Sequence, residues 1–178
     1  MRRILIVVDM QHDFIDGALG TPEARAIVPA VVRKMRNYAR RDIFATRDTH
    51  EENYLQTQEG RNLPVPHCRR GTKGWQLLPE IAAGVEADHL FDKPTFGSEA
   101  LAAAMKERAE RAPLTIELVG VCTDICVVSN ALLLKAALPE TAIFVDPDCC
   151  AGVTPAQHEA ALTTLQSCQI RLQAAPGA

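Results

Sequence analysis

Three reactive side chains stand where apolar segments of the chain end. Asp9 follows the apolar residues 4–8, Lys93 follows residues 89–92, and Cys126 lies where the apolar run 115–121 turns into a helical pattern. A carboxylate can take the proton of a thiol, and an ammonium group can stabilise the thiolate that results. These three residue types therefore indicate nucleophilic catalysis by a cysteine.

Each of the three residues also has a simpler interpretation when it is taken alone. An aspartate at a strand end often caps a turn, and a lysine there is usually solvated. A buried cysteine usually packs as a small hydrophobe. The thiol of Cys126 could also serve a non-catalytic redox or binding protein, but such a protein has no need of a base and a cation at the sulfur.

A second group of residues has the types that bind a divalent metal ion. Asp48 and His50 flank one residue in an extended segment, so both side chains can point to the same side and offer an oxygen and a nitrogen ligand. Glu59 and His67 follow at longer gaps. From the spacing alone, solvated loop residues remain the simpler interpretation of this set.

The segments that must position these groups alternate between short apolar strands and amphipathic helices. This alternation predicts βαβ units and a three-layer α/β/α fold around a mostly parallel sheet, with ligands bound at the carboxyl ends of the strands. Thr123 is expected to be a helix N-cap, which would place Cys126 in the first helical turn, where the dipole favours a thiolate. The expected strands are residues 4–8, 43–46, 89–92, 115–121, 142–146 and 170–172, and the expected helices are residues 23–40, 98–111, 124–138 and 155–167.

Composition and charge narrow the classes of function. The chain has 178 residues, predicted to form one domain (1–178) with a frayed tail at 173–178, and its net charge is −3. The sequence has no basic stripe of the kind that would predict nucleic-acid binding. It also has no apolar segment long enough to predict a membrane span or a signal peptide. The lack of such segments predicts a cytoplasmic location. The six cysteines are too sparse for a secreted disulfide scaffold and form no C-x-x-C pair, so most are expected to be reduced thiols. Neither a dinucleotide fingerprint nor a P-loop is present.

The types and order of these residues resemble those of the isochorismatase-like cysteine hydrolase superfamily and, within it, of the nicotinamidases. The resemblance rests on three motifs: D-x-Q-x-D-F, which starts at Asp9, F-x-K, which ends at Lys93, and G-V-x-T-D-x-C-V around Cys126. Asn130-Ala131 follows the third motif closely. The resemblance implies the sheet order 3-2-1-4-5-6, an Asp9–Lys93–Cys126 triad and a cis peptide before Cys122. It also implies that the backbone amides of Cys122 and Cys126 form the oxyanion hole.

The same resemblance implies a metal site and a substrate. Nicotinamidases hold a divalent metal, usually zinc, with manganese or iron as alternatives, so Asp48, His50 and His67 become expected ligands. Gln56 stands where relatives often have a histidine, which makes Glu59 the expected third ligand. Gln11 is expected to support the metal site. The residues expected to line the substrate pocket are Phe14, Tyr54 and Phe96.

The expected reaction is hydrolysis of a small amide through a thioester, with nicotinamide converted to nicotinate and ammonia. The alternatives within the fold are a ureido or carbamoyl amidase and an isochorismatase, although an isochorismatase works without such a metal set. The expected partner is a small-molecule amide, with neither a nucleic acid nor a membrane. A homo-oligomer is expected because superfamily members commonly self-associate.

Overall fold

A six-stranded parallel sheet forms the centre of the fold. The computed structural model describes residues 2–173, so Met1 and almost all of the expected tail lie outside the described residues. The sheet has the order β3-β2-β1-β4-β5-β6, which confirms the expected order. The strands are β1 (Arg2–Val8), β2 (Ile43–Asp48), β3 (Leu90–Lys93), β4 (Leu114–Val121), β5 (Ala142–Ala151) and β6 (Arg171–Leu172).

Helices cover both faces of the sheet, which confirms the three-layer α/β fold. They are α1 (His12–Ile15), α2 (Pro22–Met35), α3 (Gln58–Asn62), α4 (Pro79–Ala82), α5 (Glu99–Arg111), α6 (Val128–Ala137) and α7 (Pro155–Ser167). Strand β1 is apolar at successive positions because its alternate side chains enter two different cores. Ile4 and Ile6 pack in the core under α5, α6 and α7, whereas Leu5 and Val7 pack in the core under α2 and α4. None of the helices in residues 2–173 is both long and apolar enough to cross a membrane.

Two predicted ends differ from the structure by five residues each. The first long helix ends at Met35 and not at residue 40, and Tyr38 then turns inward so that its hydroxyl reaches the buried carboxylate of Glu117. Strand β5 continues to Ala151 and not only to residue 146. The proline at 147 is tolerated because β6 pairs with β5 only at Phe144 and Val145, and the pairing with β4 is bulged between Leu118 and Gly120.

The long segment after β2 is folded back onto the sheet. It contains a short 3₁₀ turn (Tyr54–Gln56) and α3, and it returns past Trp75. The Trp75 indole donates a hydrogen bond to Oγ1 of Thr49 at 2.9 Å, and the guanidinium carbon of Arg47 lies 3.4 Å from the ring centroid. Trp75 therefore anchors the returning segment beside the carboxyl end of β2.

Candidate active site

Asp9, Lys93 and Cys126 lie together at the carboxyl edge of the sheet. Nζ of Lys93 is 2.7 Å from Oδ2 of Asp9 and 3.3 Å from Sγ of Cys126. All three residues are buried. The ammonium group therefore stands within bonding distance of both the base and the sulfur.

The charges of these groups are strongly interdependent. Burial and the negative charge of Asp9 raise the pKa of the Cys126 thiol, and the Lys93 ammonium opposes that shift. Burial also raises the pKa of Asp9, again against the opposing effect of Lys93. Although burial disfavours its charge, Lys93 has a raised pKa because of the negative charges of Asp9, of Cys126 in its thiolate form and of Asp48. A permanently charged Lys93 thus stabilises a negative charge on either Asp9 or Cys126.

The backbone brings Asp9 unusually close to β4. Asp9 has a φ of 50°, in the left-handed region, and its Oδ1 accepts a hydrogen bond from Oγ1 of Thr46 at 2.7 Å. Gly120 has a φ of 117°, and a Cβ at that position would lie 2.1 Å from the carbonyl oxygen of Val8. Glycine is needed here because β1 and β4 approach too closely for any side chain. This approach brings the base next to the turn that carries the thiol.

The turn that carries Cys126 differs from the expected N-capped α-helix. Residues Thr123–Val127 form a π-helical turn, and α6 begins only at Val128. Thr123 does not cap it. Its buried hydroxyl instead lies 2.8 Å from Nδ1 of His158, on α7. Single π turns of this kind are often found at functional sites.

The peptide between Val121 and Cys122 is cis, as the resemblance implied. The amides of Ile125 and Val127 both donate to the carbonyl of Cys122, at 3.1 and 3.0 Å. Neither bond uses the amide of Cys122 or of Cys126. The assignment of those two amides to an oxyanion hole remains a prediction.

Asn130 has a positioning role that the sequence interpretation did not assign. Its amide group donates to the carbonyl of Cys126 at 2.8 Å and to the carbonyl of Phe96 at 3.2 Å, and its Oδ1 accepts from the amide of Ser98 at 2.9 Å. The four-residue spacing from Cys126 places Asn130 one helical turn away, and that spacing was the available signal. Asn130 links the turn of the thiol to the segment that follows Lys93.

The four expected metal ligands converge beside the triad. One ligand atom from each of Asp48, His50, Glu59 and His67 lies within 4.8 Å of all the others. Oδ2 of Asp48 is 2.9 Å from Nε2 of His50 and 3.6 Å from Nε2 of His67. Oε1 of Glu59 lies 3.5 and 3.8 Å from the same two nitrogens. Two imidazoles and two carboxylates suit zinc and other borderline divalent ions.

The hydrogen bonding of the two histidines fits a metal. Nδ1 of His67 lies 2.8 Å from the carbonyl oxygen of Val65 and donates to it, so Nε2 is the ring nitrogen that faces the cluster and would bind a metal. Nε2 of His50 is buried and makes no hydrogen bond of acceptable geometry. Although burial opposes its charge, Asp48 has a pKa well below the usual range because the two histidines and Lys93 stabilise its carboxylate. A cation at this cluster would satisfy the buried nitrogen.

The structure specifies the supporting contacts of Gln11 and places Tyr54 away from the cavity. The side-chain amide of Gln11 bonds both the carbonyl and the amide of Asp48, at 2.9 and 2.7 Å, and also the carbonyl of Trp75. Gln11 therefore holds the backbone of Asp48, and its amide is already occupied by protein groups. Tyr54 does not line the cavity. It is 1% exposed, lies behind the rings of His50 and His67, and donates to the carbonyl of Leu63.

A cavity of about 770 Å³ opens above these groups. Cys126 and the four expected ligands line it, together with Phe14 and Phe96, as expected for the pocket. Asp13 does not line it and instead accepts a hydrogen bond from the amide of Cys68, in the returning segment, at 2.7 Å. The cavity thus joins the sulfur and the metal cluster in one space.

Glu59 is the ligand that the sequence supports least, so its replacement is informative. Glu59→Ala should weaken metal binding by about 10- to 100-fold or more. Mutating a residue that only hydrogen-bonds to a metal ligand already lowers metal affinity by about this factor, so the loss of a ligand should lower it at least as much. Metal content and affinity can be measured by elemental analysis and by titration against a chelating dye. Glu52→Ala, in the same segment, is the matched control and should bind metal normally. Unchanged affinity in Glu59→Ala would mean that Gln58 or water occupies the coordination position.

Comparisons with known sequences found a matching family model and a similar protein. A family model described as the isochorismatase domain matches residues 3–175. An uncharacterised isochorismatase family protein of Bacillus subtilis, PncA, is 29% identical over 143 residues, covering 74% of this chain and 78% of the relative.

Two solved structures have a similar fold and a related sequence. The pyrazinamidase of Pyrococcus horikoshii in complex with zinc is 29% identical, with a TM-score of 0.77 over 97% of this chain and 98% of that one. The pyrazinamidase/nicotinamidase of Streptococcus mutans is 28% identical, with a TM-score of 0.79 over 96% and 99%.

Proposed function

Because the chain belongs to the isochorismatase family of hydrolases, we propose that it hydrolyses a small primary amide through a thioester formed on Cys126. The observation that carries this proposal is the position of the Lys93 ammonium group, 2.7 Å from the carboxylate of Asp9 and 3.3 Å from the sulfur. A base, a cation and a thiol held close together, with the sulfur residue lining a cavity, are the components of nucleophilic catalysis.

The first half of the reaction forms the thioester. Asp9 takes the proton of the Cys126 thiol while Lys93 offsets the negative charge. The sulfur attacks the amide carbon, and the C=O electron pair moves to the oxygen. The amides of Cys122 and Cys126 donate to this oxyanion, and each such donor is worth roughly 3–4 kcal/mol in comparable sites. The C=O bond then re-forms, the C–N bond breaks, and Asp9 returns its proton to the departing nitrogen, which leaves as ammonia.

The second half of the reaction cleaves the thioester. Asp9, again a carboxylate, takes a proton from water, and the water oxygen attacks the thioester carbon. The C–S bond breaks, the carboxylic acid is released, and the thiol of Cys126 recovers its proton. The net change is the consumption of one amide and one water and the release of one carboxylic acid and one ammonia. Lys93 keeps its charge throughout, which agrees with its raised pKa.

Nicotinamide is the proposed substrate, and the residues that would hold the metal support this choice. Asp48, His50, Glu59 and His67 would bind a divalent ion, with zinc as the first choice, at the wall of the cavity that contains the sulfur. When bound, such an ion would supply a Lewis acid for the pyridine nitrogen. Phe14 and Phe96 line the same cavity and would pack against the ring. Relatives named as nicotinamidases or pyrazinamidases, one of them crystallised with zinc, support the proposal.

The test is the release of ammonia from nicotinamide by the purified protein. We expect equimolar ammonia and nicotinate, loss of turnover after dialysis against a chelator, and recovery on adding back zinc, manganese or iron. A coupled enzymatic assay measures ammonia, and chromatography identifies nicotinate. Turnover that survives complete metal removal would contradict the metal's role in substrate binding. Absence of turnover in the metal-loaded protein, with turnover of a ureido or carbamoyl compound, would replace nicotinamide by that class.

A further inference from the structure

Exposed hydrophobic side chains are concentrated around the mouth of the cavity. In residues 2–173, only four large hydrophobic side chains are strongly exposed, and three of them line this one cavity. They are Leu63, Phe96 and Val153, with exposed fractions of 38%, 45% and 41%. The fourth, Leu55, does not line it. Scattered exposed hydrophobes need no explanation, but a group of them around one opening marks a binding surface.

These three side chains stand on fixed backbone. The amide of Leu63 donates to the carbonyl of Glu59 at 2.8 Å, and the carbonyl of Leu63 accepts from the hydroxyl of Tyr54 at 2.9 Å. The carbonyl of Phe96 accepts from Asn130. The amide of Val153 donates to Oδ1 of Asp124, in the turn that carries Cys126, at 3.0 Å. The backbone of each of these three residues is thus held by the segments that position the expected metal ligands and the thiol.

The cavity is also larger than the proposed substrate requires. Its volume of about 770 Å³ lies in the range of roughly 300–1,000 Å³ that is usual for sites of drug-sized ligands. Nicotinamide is a single ring with a carboxamide, and it would leave the mouth unfilled. The apolar mouth is continuous with the space above the sulfur, so a substrate is the occupant that would reach both.

We infer that Leu63, Phe96 and Val153 form an apolar subsite that binds a hydrophobic substituent of the amide substrate. This inference rests on the proposed amidase function and specifies the substrate class as primary amides whose ring carries an alkyl or aryl group. Burying that group against three exposed side chains removes apolar surface of both partners from water. The subsite therefore favours substituted amides over nicotinamide itself.

The chemistry of the ring selects the probe. In nicotinamide, position 5 is the ring carbon that neighbours neither the pyridine nitrogen nor the carbon that bears the carboxamide. A substituent there leaves both the metal-binding and the reacting groups free. We therefore choose nicotinamide, 5-methylnicotinamide and 5-propylnicotinamide as a series of increasing apolar size.

The first measurement is affinity, by calorimetry on zinc-loaded Cys126→Ala, which cannot turn the amide over. Each buried carbon should tighten binding by about fourfold, so 5-propylnicotinamide should bind about 10- to 100-fold more tightly than nicotinamide. In the Leu63→Ser/Val153→Ser double variant of the same protein, this ratio should fall to within about threefold of unity. Leu55→Ser is the matched control, since Leu55 is 52% exposed but does not line the cavity, and it should keep the ratio.

The outcomes separate this inference from the proposed function. A ratio near or below one, a ratio that survives the double variant, or no measurable binding by any member of the series would overturn the subsite. A double variant that loses self-association in size-exclusion chromatography while keeping the ratio would also overturn it, because the mouth would then be an interface between copies. Ammonia release by the unaltered enzyme tests the proposed function separately. An affinity series that behaves as expected without any ammonia release would leave the subsite standing as a ligand site and refute the hydrolysis of these amides.

Discussion

Replacing Cys126 by alanine should lower kcat/KM for the amide by at least about 10⁴-fold. Losing the nucleophile of a comparable covalent hydrolase removes almost all catalysis, and what remains comes from substrate binding and the oxyanion hole. The side chain is small and lies in a buried π turn, so the fold and the metal content should be preserved. Ammonia release, circular dichroism and elemental analysis measure the three quantities.

Cys122→Ala is the matched control for this prediction. Cys122 lies four residues before Cys126 and lines the same cavity, but only its backbone amide has an assigned role. We expect its kcat/KM to stay within a few-fold of the unaltered enzyme. A collapse in Cys122→Ala, with activity retained in Cys126→Ala, would mean that the other thiol attacks the substrate. Persistent ammonia release by both variants would exclude a covalent cysteine mechanism.

Removing either histidine of the cluster should strip the protein of its metal. His50→Ala and His67→Ala each lose a nitrogen ligand and leave one histidine beside Asp48 and Glu59, so metal affinity should fall by at least about 100-fold. Elemental analysis after dialysis measures the loss directly. Asp48→Ala should have the same effect on the metal. It should also disturb the catalytic groups, because Oδ1 of Asp48 lies 3.1 Å from Nζ of Lys93.

Glu51→Gln and Glu52→Gln are the controls for the histidine variants. Both glutamates belong to the same segment but lie outside the cluster, and Glu51 pairs at the surface with Arg70. These variants should bind metal normally. Full metal content in His50→Ala or His67→Ala would refute the assignment of that histidine as a ligand. Loss of metal from the glutamate variants as well would show that any disturbance of the segment releases the ion.

Much of the fold could be predicted from local patterns. The apolar run of β1 predicts a strand covered on both faces. Helix α7 begins and ends at the residues that its periodicity predicted. The order of the strands was implied only by the resemblance. The end of α2 and the length of β5 could not be predicted, because they depend on Glu117 and on the bulge in β4.

The amino-acid sequence by itself determined which chemical groups stand at the strand ends, since strand and helix periodicity are local properties. The tertiary structure decided which atoms meet. Nζ of Lys93 contacts both Asp9 and Asp48, so the triad and the metal cluster share one charge, and no spacing along the chain predicts this.

The same distinction explains the residues whose roles were mistaken. Thr123 was expected to cap a helix because its type and position favour a cap, but His158, 35 residues away, is its partner. Tyr54 was expected to face the substrate, but it packs behind His50 and His67. Local propensities are weak, on the order of 1 kcal/mol for a cap, so a buried hydrogen bond or a close-packed ring contact can override them. Such contacts exist only once the parallel strands are in register and the loops between them have closed.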